Sequence, residues 1–265
     1  IGLGGRLDAT NVLQAPMVIL TPIHLDHEAF LGPTIAKIAA EKAAIIKPYG
    51  HTVIGAQFPE ALRVIRRAVR AARGTLSQAK PVSGISLGLA GDFQKGNAGV
   101  ALRASEILCE RFGMPIVPAL SRKGLQSRGW TGRMESFQRK GRVFILDGAH
   151  NPLSMKALVL SLKALKQQEA WLVFGAMNDK NSREMLRVLS CFFSKVILTR
   201  IEGNRAKTPG MLLLEAKGLF SCVLTAQNVS EAFSLVRKAS RLGARVVVTG
   251  SFYLVGEARK LLKGG

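Results

Sequence analysis

The chain of 265 residues is 48% hydrophobic and carries 38 basic against 17 acidic residues, a formal net charge of +21. That length allows one large or two ordinary domains with real cores, and no stretch reaches the roughly 20 uninterrupted apolar residues of a membrane span. Cys109, Cys191 and Cys222 are odd in number, widely spaced and set in apolar runs. This argues against a disulfide framework or a zinc site and for buried thiols in a reducing, cytoplasmic setting.

In chain order, "MVILT" (17–21) predicts a buried strand and "TIAKIAAEKAAII" (34–46) a helix. "TVIGA" predicts a second strand, followed by the basic helix 60–73; residues 74–96, rich in Gly, Ser and Lys, predict strands and loops. A helix is expected over 97–112 and a linker over 113–133, which holds Pro115 and Pro118. Strands at 143–146, 171–175, 195–199, 221–224 and 244–248 then alternate with helices at 153–166, 182–190, 209–217, 229–241 and 255–263. Such alternation describes a mostly parallel, Rossmann-like sheet covered on both faces. The chain divides near residue 130, into an incomplete α/β region (1–130) and a complete small α/β domain (131–265).

The positive excess sits in "RVIRRAVRAAR" (63–73), "SRKGLQSRGWTGR" (121–133) and "QRKGR" (138–142). It would favour polyanions. In the first run Leu62, Ile65, Val69 and Ala72 share one helical face, and no aromatic residue interleaves with the arginines. A solvated amphipathic helix therefore accounts for it better than a nucleic-acid surface.

Ligands of open α/β sheets bind at the carboxyl ends of strands, where loops meet helix N-termini. Three polar clusters are expected there: "TPIHLDHEAFLG" (21–32), "DGAHNP" (147–152) and "TGSFYLVGEAR" (249–259). One alone could be capping. Together they hold three of the four histidines; the fourth, His51, reads as a plain loop residue. His24, Asp26, His27 and Glu28 would suit a divalent cation; a capped turn with two exposed histidines is an equal alternative. Lys42 lies between alanines in an apolar helix. Snorkelling is the usual fate of such a lysine, and a truly buried one must be neutral, paired or modified. No Gly-Lys dipeptide occurs, so a Walker P-loop is absent from these residues.

Taken in order, "GLGGRLDATN" (2–11), "LDHEAFLGPTIAKIAAEKAAIIK" (25–47), "GRMESF" (132–137), "DGAHNP", "FGAMNDK" (174–180) and "TGSFYLVGEAR" resemble the folylpolyglutamate synthase/dihydrofolate synthase family of Mur-type amide ligases. The resemblance implies a truncated Mur-ligase-type ATPase domain followed by a Rossmann-like glutamate-ligase domain. It implies an enzyme that couples ATP cleavage, with Mg2+, to ligation of L-glutamate onto dihydropteroate or a reduced folate through an acyl phosphate. Position by position, His27 resembles the magnesium-binding histidine and Lys42 the carbamylated lysine, a second metal ligand with a catalytic role. Asn97 resembles the asparagine near the adenine, Arg133 the hinge-side arginine on the nucleotide phosphates, and Asp147 the acid that holds the ribose. His150, also catalytic, and Ser251 resemble the residues that position glutamate.

Thr131, Phe93 and Ala44 depart from the family's usual Pro, His and Gly. The family's P-loop and magnesium-binding glutamate would precede Ile1, so a fragment, inactive alone, is expected. A monomer without membrane or nucleic-acid partners is expected as well. Another Mur-type ligase of cell-wall precursors, or a non-catalytic basic RNA-binding protein on the same fold, are the alternatives.

Overall fold

The computed structural model describes residues 4–25, 28–127, 130–165 and 169–264. The chain forms two compact units. One comprises residues 1–88 and 93–127, the other 89–92 and 128–265.

The first unit has a three-stranded parallel sheet in the order β1 (Met17–Leu20), β2 (His51–Ile54), β3 (Thr75–Gln78). Strand alternation explains its two cores. Ile54 joins Ile38, Ile65 and Val69 beneath the helices α2 (Ile35–Ala43) and α3 (Pro59–Ala71), after the short α1 (Glu28–Leu31). Val53 faces the other way, onto Val100, Ala104 and Ile107 of α4 (Gln94–Arg111). Arg63, Arg66, Arg67 and Arg70 are all on the exposed side of α3, as its periodicity requires. β1 is not the wholly buried strand its sequence suggests, because Ile19 is 42% exposed.

Several expectations need correction. The helix predicted from residue 97 begins at Gln94, so Asn97 lies within its first turn and does not open it. The stretch read as a linker contains α5 (Pro118–Gln126), which starts on a proline at its first position. Cys191 is exposed, and Cys109 and Cys222 are only half-buried. Strand β2 carries His51, whose Nε2 and Nδ1 meet Ser77 Oγ at 2.9 Å and Thr75 Oγ1 at 2.7 Å across β3. His51 is therefore no loop residue; its partners lie more than twenty positions away, where local reading does not reach.

The second unit is a six-stranded sheet. Its strands are β4 (Glu135–Arg139), β5 (Arg142–Leu146), β6 (Ala170–Phe174), β7 (Lys195–Thr199), β8 (Cys222–Ala226) and β9 (Arg245–Thr249). Their order is β4-β5-β9-β6-β7-β8, parallel throughout except for the β4–β5 hairpin. The sequence hides β4, since its residues "ESFQR" offer no apolar run. The hairpin turns on Lys140 and Gly141 with φ of 46° and 70°, the left-handed pair that a two-residue turn demands.

α6 (Pro152–Lys163), α7 (Ser182–Ser190) and α8 (Pro209–Ala216) cover one face, against Ile145, Leu172 and Val247. α9 (Val229–Ala239) and α10 (Phe252–Lys263) cover the other, against Phe144, Leu146, Val246 and Val248. No helix among the described residues is long and apolar enough to cross a membrane.

Candidate active site

In the first unit, "TPIHL" follows the carboxyl end of β1, as expected. The half-buried His24 ring stands edge-on to Phe58 at 5.2 Å, and burial holds its pKa below the ordinary value of 6.5. Asp26 and His27, the latter expected to bind magnesium, lie outside the described residues. Lys42 is in the last turn of α2 and half-buried, exposed enough for its side chain to reach water.

From Gly4 onward, the opening loop is clamped onto this turn. A Cβ at Gly5 would stand 2.4 Å from the Glu41 carbonyl oxygen and 2.9 Å from that of Lys42. Only glycine tolerates that approach. Arg6 pairs with Glu41 at 2.6 Å, and Lys47 Nζ donates to the Asn11 carbonyl at 2.5 Å and its Oδ1 at 2.8 Å. Two of the quoted motifs thus form one packed piece, in which the loop fixes the helix end carrying Lys42. Asn97 is exposed and donates to Gln94 Oε1 at 2.8 Å.

In the second unit, "DGAHNP" and "TGSF" leave the carboxyl ends of β5 and β9, which are neighbours. Gly250 N donates to the Ala149 carbonyl at 3.0 Å, tying the two turns together. Each turn starts a helix. Asn151 caps α6 in a reciprocal box with Ser154, and Ser251, 4% exposed, caps α10 by accepting from Tyr253 N at 3.2 Å. Two helix N-termini therefore open at this end of the sheet, a setting that favours anionic groups.

Asp147 is 5% exposed and accepts from Met134 N at 3.0 Å and Ala149 N at 2.9 Å. Desolvation raises its pKa, opposed by those two amides and by the charges of Arg133 and His150. Each oxygen accepts one of these bonds and keeps capacity for another. His150 Nδ1 lies 2.9 Å from the Gly148 carbonyl. A carbonyl can only accept, so the proton sits on Nδ1 and leaves Nε2 as an acceptor when the ring is neutral.

Phe252, which sequence reading passed over, organises the rest. The Arg133 guanidinium stacks 4.6 Å from its ring centroid and the His150 ring is tilted against it at 5.8 Å. A Cβ on Gly148 would come within 2.2 Å of the Phe252 ring. The 130–135 segment closes on the same turn, with Gly148 N donating to the Gly132 carbonyl at 2.8 Å. Glu135 accepts from Gly132 N and, through both oxygens, from Arg259 Nε at 2.9 and 3.0 Å. Glu135 and Arg259 were also missed, although both lie inside quoted motifs. The structure brings Arg133, Asp147, His150 and the Ser251 cap to one end of one sheet. Lys42 and Asn97 belong to the other unit.

This second unit has the frame of a Mur-type ligase domain: residues 132–252 match the family described as "Mur ligase, glutamate ligase domain". Folylpolyglutamate synthase of Lacticaseibacillus casei is 29% identical over 100% of this chain and 66% of its own length. The dihydrofolate synthase/folylpolyglutamate synthase of Bacillus subtilis (strain 168) is 30% identical over 99% and 66%. The solved Mycobacterium tuberculosis folylpolyglutamate synthase complexed with ADP and AMPPCP superposes with a TM-score of 0.88 at 30% identity, covering 99% of this chain and 67% of that one. The chain belongs to the folylpolyglutamate synthase/dihydrofolate synthase family, and it spans about two thirds of the length of these relatives.

Proposed function

We propose that this chain is part of an ATP-dependent ligase that joins L-glutamate to dihydropteroate, a reduced folate, or both. Supporting the reading most directly is the pair of motif turns at the neighbouring strand ends β5 and β9, each opening a helix N-terminus beside His150 and Arg133. In the proposed reaction a folate carboxylate oxygen attacks the γ-phosphorus of ATP and ADP leaves. The glutamate amine then attacks the acyl carbon, and the tetrahedral intermediate collapses to the amide, releasing phosphate and a proton. Asp147 would accept from the ribose hydroxyls, Arg133 would pair with phosphate and Asn97 would lie near the adenine. His150 and Ser251 would hold glutamate. Residues 1–130 would serve as the later part of the ATP-binding domain and 131–265 as the glutamate-ligase domain, in a monomeric cytoplasmic enzyme.

Magnesium would neutralise phosphate charge when bound. Among the described residues no three His, Cys, Asp or Glu side chains gather as a protein-only site requires. The ion would be held mainly by phosphates and water, with one or two protein ligands. His27 would be one. An ammonium cannot ligate a cation, so Lys42 would serve as a carbamate.

The test is incorporation of labelled glutamate by the whole polypeptide carrying this chain, with ATP and either dihydropteroate or tetrahydrofolate. One ADP and one phosphate per amide are expected. Glutamate left unincorporated, with an amino acid joined instead to a cell-wall nucleotide precursor, would overturn the reading. Lys42→Ala should cripple turnover, with partial rescue by added short-chain carboxylates; near-normal turnover would remove Lys42 from the mechanism.

A further inference from the structure

The basic run "QRKGR" has no part in the site described above. It forms the β4–β5 turn, at the end of β5 opposite Asp147. About four strand residues, roughly 13 Å, separate Arg142 from Leu146. Beside this turn, between it and the helices α9 and α10, lies a cavity of about 120 Å³. Four cations line it, Arg139, Lys140, Arg142 and Arg237, over a floor that includes Phe144 and Phe233, and no acidic residue is among its lining.

Arg142 decides the reading. It is 8% exposed, and its guanidinium donates to Ser240 Oγ at 2.7 Å and to the carbonyls of Lys140 (3.0 Å), Arg237 (2.9 Å) and Ser240 (2.6 Å). These acceptors take four of its five N–H groups, and those near the end of α9 carry the partial negative charge of a helix C-terminus. None supplies a full negative charge. Among the described residues no carboxylate pairs with any of the four cations. A buried cation beside three others, over an apolar floor that weakens dielectric screening, is costly without a counter-ion.

We infer that this cavity is a binding site for a compact multivalent oxyanion of the phosphate type. A cavity of about 120 Å³ leaves room for such an ion. Several cations on different elements favour a dianion over a lone carboxylate. The nearly buried Arg142, held by four bonds, gives the site a fixed wall, while Lys140 and Arg237, both exposed, can close on the ion.

The experiment is thermal unfolding of the purified protein in rising sodium phosphate, against sodium chloride of equal ionic strength and sodium acetate, with 31P line broadening as a second readout. Phosphate should stabilise saturably and acetate much less. The double variant Lys140→Asn, Arg237→Gln keeps both positions exposed and gives position 140 a residue suited to its left-handed φ. It should weaken phosphate binding about tenfold or more, whereas Arg133→Gln should leave that binding intact. Phosphate no better than matched chloride, unchanged affinity in the double variant, or loss of binding in Arg133→Gln would each overturn the site.

Discussion

At the scale of single residues, two glycines in the candidate site make unequal demands. The atoms nearest a Cβ at Gly148 belong to the partly exposed Phe252 ring, whereas one at Gly250, where φ is +116°, would meet the Gly175 carbonyl oxygen at 2.3 Å. A ring can swing aside; a main-chain oxygen fixed at the end of a strand cannot. Gly148→Ala should therefore cost about 1 kcal/mol and loosen the Arg133 stack, and Gly250→Ala about 3 kcal/mol or more. Chemical denaturation of both variants checks the order. His24 and His51 give a pH prediction. Burial, reinforced at His51 by Arg103, lowers both pKa values below 6.5. The unfolded chain then binds more protons than the folded one as pH falls through 6.5, so these two groups make stability fall in that window. The melting temperature should drop between pH 7.5 and 5.5, and His24→Gln with His51→Gln should flatten the slope.

At the scale of elements, the loop after β7 is pinned by an ion pair outside the proposed chemistry. Lys207 Nζ donates to Glu215 Oε1 on α8 at 2.5 Å and to Ser182 Oγ on α7 at 2.6 Å, and Lys207 N to the Ala176 carbonyl at 2.9 Å. Lys207 is 7% exposed, so Lys207→Met would leave Glu215 with the Ser182 hydroxyl but no counter-charge and should cost about 2 kcal/mol, while Lys207→Met with Glu215→Leu should recover most of it. A double-mutant cycle by denaturation, with Glu215→Leu alone as the other single variant, measures this; a double-variant loss equal to the sum of the two single losses would show the pair is not coupled. No local pattern foretells this contact, and the same limit runs through the fold. The repeating strands and helices after residue 142 were legible because apolar runs of period 2 and period 3.6 alternate there. β4 was not, because an edge strand with polar outward residues leaves no run. α5 was masked by Pro115 and Pro118, the second of which starts it. In the site, Asp147, His150 and Ser251 stood out as polar residues after apolar strands. Phe252, Glu135 and Arg259 did not, since an aromatic or a charge inside a helical or strand pattern looks like packing until its partner's position is known.

At the scale of the whole molecule, the chain forms two units, and the short stretch 89–92 groups with the second, an excursion that no sequence pattern marks. The positive charge is dispersed over several surfaces, with the arginines of α3 facing solvent as an amphipathic helix predicts. Strand order has the largest consequence. β9, the last strand in sequence, is inserted between β5 and β6. During synthesis the ribosome must therefore release more than a hundred residues of this unit while two apolar strands wait with unsatisfied edges for a neighbour not yet made. A chain ending at residue 244 should be insoluble, and co-expressed 245–265 should restore soluble protein if the gap is held open. In a cell, the interval between β6 and β9 leaving the ribosome is when this protein most needs a chaperone.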